Sequence, residues 1–333
     1  MSLRVLVIGA GRMGRVHLEA MRGSDHVRAV AVVEPFAAAR EQLAGSGLEL
    51  YESIDAALAA GGFDAALIAA PSGLHRDLVD ALMTAGVPTL CEKPCGLKSS
   101  DTQHAADRAA ATGTPLQIGY WRRFVPELRV LRDEIASGAL GEIAFIQAWQ
   151  WDGEPPGAAF RLTSGGPLLD MGVHEFDMVR WLTGQDIALQ AVIDSAVNSV
   201  EPVAGDPESV LATGKLSGGG VAAISLGRRF DHGDCCWVEV IGTLGSRRCE
   251  FMMGDGGDSV FKRALVDQVE AFAARLRGEP STAATAADAA SSTCVNDCMP
   301  APSPIRGIRP ARTAAAIVPP SGSCHVPGPY RVP

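Results

Sequence analysis

Two rhythms of apolar and polar residues divide the chain. From residue 3 to about 120, short apolar runs at 5–8, 27–33, 65–70, 87–91 and 116–120 alternate with alanine-rich stretches of helical spacing at 16–21, 36–43 and 74–85. Continuous apolar strands separated by amphipathic helices predict a parallel sheet covered on both faces, a doubly wound α/β domain of the Rossmann type. After Pro126 the pattern changes. It predicts a helix to about Ser137, a long strand over 142–151, a glycine-led helix through Trp181, and strand-like runs at 189–197, 208–216, 221–229, 237–242 and 247–252. Strands joined by tight turns, with no helix between them, must be largely antiparallel. The expectation is a Rossmann domain over 1–120, followed over 121–280 by an α+β domain with an open, mostly antiparallel sheet. From about Ser281 the composition turns rich in Pro, Ser and Arg, which predicts an irregular tail over 281–333.

Composition narrows the class of partner. The formal charge is −9, and nucleic acid or an anionic membrane surface selects for clustered Lys and Arg. Small molecules are therefore expected, with neither nucleic acid nor membrane as partner. No apolar run approaches the roughly 20 residues that span a bilayer. The first strand begins at Leu3, which leaves no room for a signal peptide and predicts a cytoplasmic protein. Cys91, Cys95, Cys235, Cys236 and Cys249 lack the spacing of a zinc site, and the spacing of Cys294 and Cys298 is read as chance. Reduced thiols and no metal are expected.

The first strand runs straight into Gly9-Ala10-Gly11-Arg12-Met13-Gly14. In a dinucleotide-binding turn Gly9 permits the sharp exit from the strand, Gly11 lets backbone approach a pyrophosphate, and Gly14 lets the helix pack on the sheet. The amides around Arg12 and Met13 would then face the phosphates. Glu34 follows the second strand about twenty residues beyond the last glycine, where a carboxylate can hold both hydroxyls of an adenosine ribose. It would repel a 2′-phosphate, and Pro35 and Phe36 offer no guanidinium to receive one, so NAD is favoured over NADP. Pro71, Ser72 and His75 lie at the carboxyl edge of the predicted sheet, a position suited to the nicotinamide half of the cofactor. No chemistry is assigned to His75.

Further on, Glu92-Lys93-Pro94 and the run from Gly165 to Asp177 supply a lysine, carboxylates and an imidazole. That is the equipment for taking a proton from an alcohol while a cofactor takes its hydride. Asp170 and His174 are four apart, so one continuous helix would stack them on one face, with Asp177 a turn further on. Together with the glycine turn, Glu92-Lys93-Pro94 and the pattern G-G-x-x-x-D-x-G-x-H-x-x-D resemble the glucose-fructose oxidoreductase and inositol dehydrogenase (Gfo/Idh/MocA) family over roughly residues 1–280. The stretch Gly119-Tyr120-Trp121-Arg122-Arg123-Phe124 is similar to one carried by inositol dehydrogenase-like members.

The resemblance implies an NAD-dependent oxidation of a secondary hydroxyl on a cyclitol or sugar, most like inositol 2-dehydrogenase. His174 would remove the hydroxyl proton, Asp170 would orient the imidazole or hold a neighbouring hydroxyl, and Lys93 would donate to the reacting oxygen. Glu92 and Lys93 would also touch the cofactor. Tyr120, Arg122, Arg123, Asp152 and His232 are candidate substrate contacts, with one of the two arginines expected in a structural ion pair. Trp121, Trp149 and Trp151 could wall a sugar pocket or pack on a sheet face. A homo-oligomer, dimer or tetramer, is expected through the open sheet.

Two departures from the family pattern stand out. The loop Arg229-Phe230-Asp231-His232-Gly233-Asp234 lacks the tyrosine that family members often present to substrate. Beyond 282–290 the chain turns to proline where relatives usually carry an alanine-rich helix packing back on the nucleotide domain, a switch resembling a shifted reading frame. Loss of that closing helix is expected. Two other readings stay open, an NAD-assisted glycosidase on the same scaffold and a nucleotide-sensing regulator without chemistry.

Overall fold

The computed structural model describes residues 2–197, 201–253 and 257–293. The N-terminal part runs β1 (Leu3–Ile8), α1 (Arg12–Arg22), β2 (Val27–Val33), α2 (Ala37–Glu41), β3 (Glu49–Tyr51), α3 (Ile54–Ala60), β4 (Ala65–Ile68), α4 (His75–Thr84), β5 (Thr89–Cys91), α5 (Ser99–Thr112) and β6 (Leu116–Ile118). Strands β3-β2-β1-β4-β5-β6 lie side by side and parallel, the doubly wound order with its switch point between β1 and β4. Successive residues of β1 feed two cores. Leu6 and Ile8 join Ala66, Ile68, Val79 and Leu82 on one face, while Val5 and Val7 join Leu67, Leu18 and Met21 on the other.

The second part continues with α6 (Pro126–Ala136), β7 (Ile143–Trp151), α7 (Ala158–Arg161), α8 (Pro167–Asp170), α9 (Gly172–Thr183), β8 (Ile187–Ser195), β9 (Ser209–Leu216), β10 (Val221–Gly227), β11 (Cys235–Gly242) and β12 (Ser246–Met253). These strands form one sheet in the order β12-β11-β7-β10-β9-β8, antiparallel except where β7 meets β10. Its inner face, with Ile146, Ala148, Ile224, Leu226, Val238 and Val240, is covered by α6 and α9. Trp149, Trp151 and Trp237 stack on the other face, with ring centroids 5.1 and 5.5 Å apart. Trp149 and Trp151 are therefore sheet-face residues, and Trp121 packs internally against Phe251 and Phe261.

The last described elements are α10 (Gly257–Leu276), β13 (Ala284–Thr285) and α11 (Ala286–Thr293). α10 returns to the nucleotide domain, because Val269, Phe272 and Ala273 cover the apolar face formed by Val5, Val7 and Leu67. Residues 284–293, assigned to the irregular tail, are also regular. β13 adds an antiparallel strand beside β6, and α11 buries Ala286 and Ala289 against α5 and α9. Small side chains permit that close approach; the stretch beyond it, where loss of the closing helix is expected, falls on residues 294–333, outside the described residues.

The glycine-led helix is also not continuous. Gly165 and Gly166 take φ of +82 and +83°, Pro167 opens α8, and Met171 with φ −98° separates α8 from α9. Gly172 sits against β10, where a Cβ would come 3.2 Å from the Leu226 side chain. Asp170 and His174 therefore lie on two helices and not on one.

Candidate active site

The cofactor crevice is built by glycine at the β1–β4 switch point. Gly9 has φ +100°, and a Cβ there would sit 2.7 Å from the Ala69 carbonyl. At Gly14 a Cβ would collide with the Gly9 carbonyl, which fixes how closely α1 returns to the strand. At Gly11 it would meet no protein atom within 4 Å, so that position opens onto free space. Gly11 caps α1 with no side-chain hydrogen bond, leaving first-turn amides for an anion. This cradle fits a dinucleotide pyrophosphate. Arg12 is exposed beside it and Met13 half-buried.

Glu34 stands at the rim of this turn. Its carboxylate accepts from the Ala10 amide at 2.9 Å and the Phe36 amide at 3.1 Å, which fixes it beside the glycine turn. Arg40, not singled out from the sequence, donates to the Glu34 and Pro35 carbonyls at 2.6 and 2.8 Å. Across the switch point, Pro71 is exposed and Ser72 begins a short 3-10 turn. His75 is corrected from a cofactor contact to a strut. Its ring is buried, with Nδ1 2.7 Å from the Pro94 carbonyl and Nε2 2.8 Å from that of Ala70, and burial lowers its pKa.

Glu92 is likewise committed internally. One carboxylate oxygen lies 2.6 Å from His17 Nε2 on α1, and the other accepts the Lys93 amide at 3.1 Å. Burial raises its pKa, but the His17 hydrogen bond and the neighbouring cations outweigh that and hold it below the ordinary range. Gly119 makes the room, since a Cβ there would lie 3.0 Å from the carboxylate. Glu92 thus links the phosphate-facing helix to the lysine loop.

Lys93 reaches from that loop into the second part of the chain. Its Nζ donates to the Asp170 carbonyl at 2.7 Å and to Asp170 Oδ1 at 3.3 Å. Asp170 Oδ2 accepts from Arg228 at 2.8 Å. Burial alone would raise the Asp170 pKa, yet the charges of Lys93 and Arg228 bring it below the ordinary carboxylate range. His174 is buried, packed edge-on against Tyr120 and Trp121 with ring centroids 6.1 Å away. Burial, then the charges of Lys93 and Arg122, push its pKa well below the usual value, so the ring is neutral at pH 7.

Three expected substrate contacts face partners inside the fold. Tyr120 is 1 % exposed and forms a wall of the imidazole pocket. Arg122 pairs with Glu175 and donates to Gln150 at 2.8 Å, while Arg123 grips Asp177 with two bonds of 2.9 and 2.5 Å. Both arginines, not one, make internal ion pairs, and Asp177 serves Arg123. Asp152 lies near the reacting cluster at the end of β7, its pKa pushed up to about 6 by burial and by Asp234 and Asp170, against the pull of Arg228. Beside it opens a cleft of about 300 Å³ lined by Gly153, Glu154, Arg229, Phe230, Asp231 and Gly233. His232 is exposed at this rim, its ring edge-on to Phe230.

Residues 3–120 match the NAD-binding Rossmann domain of the GFO/IDH/MocA oxidoreductase family, and residues 128–248 match the C-terminal domain of that family. The chain belongs to the GFO/IDH/MocA family. It is 46 % identical over 286 residues to the rhizopine catabolism protein MocA of Rhizobium meliloti, covering 86 % of this chain and 90 % of that one. An inositol 2-dehydrogenase of Rhizobium meliloti strain 1021 is 34 % identical over 252 residues, 75 % of this chain and 76 % of that one. Among solved structures, a scyllo-inositol dehydrogenase of Lactobacillus casei with bound NAD(H) and scyllo-inositol superposes with a TM-score of 0.77 at 26 % identity, covering 88 % and 94 % of the two chains.

As a GFO/IDH/MocA oxidoreductase, the chain uses NAD, and its glycine cradle and Glu34 would hold that cofactor. The sequence reading missed His17, Arg228, Asp206 and Arg161. The signal for Arg228 was available: it continues the inward phase of β10 after Ala222, Ile224 and Leu226, where a charge needs buried partners.

Proposed function

We propose that this NAD-dependent oxidoreductase oxidises a secondary hydroxyl of a cyclitol or sugar, with Lys93, Asp170 and His174 as the proton-transfer group. The observation that carries the reading is the Lys93–Asp170 contact beside a buried, neutral His174. Bound NAD would supply the hydride acceptor. His174 accepts the hydroxyl proton, because burial between cations keeps it unprotonated and ready. Of the three donors on an ammonium, two are engaged by Asp170, and the third is available to the reacting oxygen, where it stabilises developing negative charge. Asp170 holds that ammonium in place. The inositol dehydrogenases named among the relatives support a cyclitol.

The test is NADH formation with myo-inositol, scyllo-inositol, glucose and related polyols, alongside product analysis. One ketone per NADH from a cyclitol or sugar is expected. Release of a glycone from a glycoside with no net NADH would point to the glycosidase chemistry instead, and NAD binding without turnover of any polyol would point to a sensor.

We further propose that two copies associate through the outer face of the second sheet. Ile193, Leu211, Val221, Ile241 and Met253 are exposed on that face around the three stacked tryptophans. Val221→Glu should shift the protein toward monomer in sedimentation velocity; an unchanged assembly excludes this face. No helix among the described residues is long and apolar enough to cross a membrane, and the five described cysteines are free, which suits a cytoplasmic setting.

A further inference from the structure

We infer that Arg228 is a positioning residue for proton transfer, holding Asp170 in orientation from the second sheet. The inference rests on the reading of Asp170 as the partner of Lys93.

The guanidinium is wholly buried. Its backbone amide is fixed by the Glu208 carbonyl at 2.8 Å, so the side chain leaves β10 in a set direction. Nε and one terminal nitrogen both go to Asp206 Oδ1, at 3.3 and 2.7 Å. Asp206 is held in turn by Arg161, which also reaches Glu208 at 3.2 Å. The remaining terminal nitrogen points the other way, 2.8 Å from Asp170 Oδ2 and 3.8 Å from Asp152 Oδ2.

The result is an alternating chain of charge, Lys93–Asp170–Arg228–Asp206–Arg161–Glu208, which begins at the reacting cluster and ends in the second part of the fold. Asp170 faces Lys93 from the β5 loop and Arg228 from β10, while Asp152 from β7 adds repulsion. Asp234 acts on Asp152, and His174 sits on α9 beyond Lys93. Losing Arg228 leaves a buried carboxylate with one cation and a nearby like charge. Its pKa then rises, and the ionised form is lost as pH falls through that higher value. The acid limb of the rate profile therefore moves upward, because an opposite charge at this range shifts a carboxyl by about one unit or more.

The experiment compares Arg228→Met, Arg228→Lys, Asp206→Asn and Asp170→Asn with the parent, using NAD and myo-inositol or whichever panel polyol is oxidised faster. Arg228→Met should lower kcat by roughly 10–100-fold and move the acid limb of kcat/KM up by about one pH unit, with KM for NAD unchanged. Arg228→Lys should return the limb toward the parent value while recovering kcat only in part, since an ammonium keeps the charge and loses the fork. Asp206→Asn, which keeps the shape and weakens the anchor, should lower kcat without moving KM for NAD, and it serves if Arg228→Met fails to fold. A slow Asp170→Asn beside Arg228 and Asp206 variants with parental kcat and acid limb overturns the inference alone. Parental rates in all four sink the reading of Asp170 as well.

Discussion

Lys93→Met should reduce kcat by roughly 10²–10³-fold, the loss seen when a single donor to a developing oxyanion is removed. The affinity for NAD, measured by calorimetry, should stay near that of the parent. The separation is expected because the link between the lysine loop and the phosphate-facing helix runs through the Glu92 carboxylate and His17, not through the ammonium. Methionine is one atom shorter and gives up the charge, while Asp170 retains Arg228 as its partner and the loop remains seated. The pH profile supplies a second readout. Burial and the nearby cations place the His174 pKa well below its usual value, so the neutral base persists as pH falls through the ordinary histidine range. Removing the Lys93 charge relieves one depressing influence, and the His174 protonation step should move toward higher pH. Loss of NAD binding in Lys93→Met would remove Lys93 from the chemical step and place it with the cofactor.

The motifs that share local backbone geometry were legible from the sequence. The glycine turn and the apolar strands depend on short stretches whose spacing implies their surroundings, whereas the roles proposed for Lys93, Asp170 and His174 come from the family pattern. What escaped is non-local. His17 and Glu92 are 75 residues apart and meet only because α1 returns beneath β5, while Arg228 and Asp206 depend on the register of β9 and β10. The Arg122-Arg123 pair was read outward because guanidinium suits polyols and phosphates. Both turned inward because α9 presents Glu175 and Asp177 to them. The tail boundary was set too early for a similar reason: alanine, threonine and serine carry weak periodicity, and the order of 284–293 comes from the edge of β6 and the groove between α5 and α9.

Asp177→Ala should cost about 3–5 kcal/mol of stability, because it takes from the buried Arg123 guanidinium its two short bonds and leaves it only longer contacts. Against a total of roughly 5–15 kcal/mol for an ordinary domain, that is a large share. Arg123 is 6 % exposed and also reaches the Thr282 carbonyl and Asp288, both at 3.5 Å, so the same change loosens the segment that leads into β13 and α11. The apolar double variant Arg123→Met with Asp177→Leu should recover much of the loss, since it removes both desolvated charges together. Denaturant midpoints for the two single variants and the double variant give the coupling directly. A single variant within about 1 kcal/mol of the parent would mean that water reaches Arg123 and that it remains open to a ligand, the alternative on which it was first considered. The two experiments read different quantities: Lys93→Met lowers the rate of a stable protein, and Asp177→Ala lowers the stability of a protein whose surviving molecules keep their lysine, carboxylate and imidazole in place.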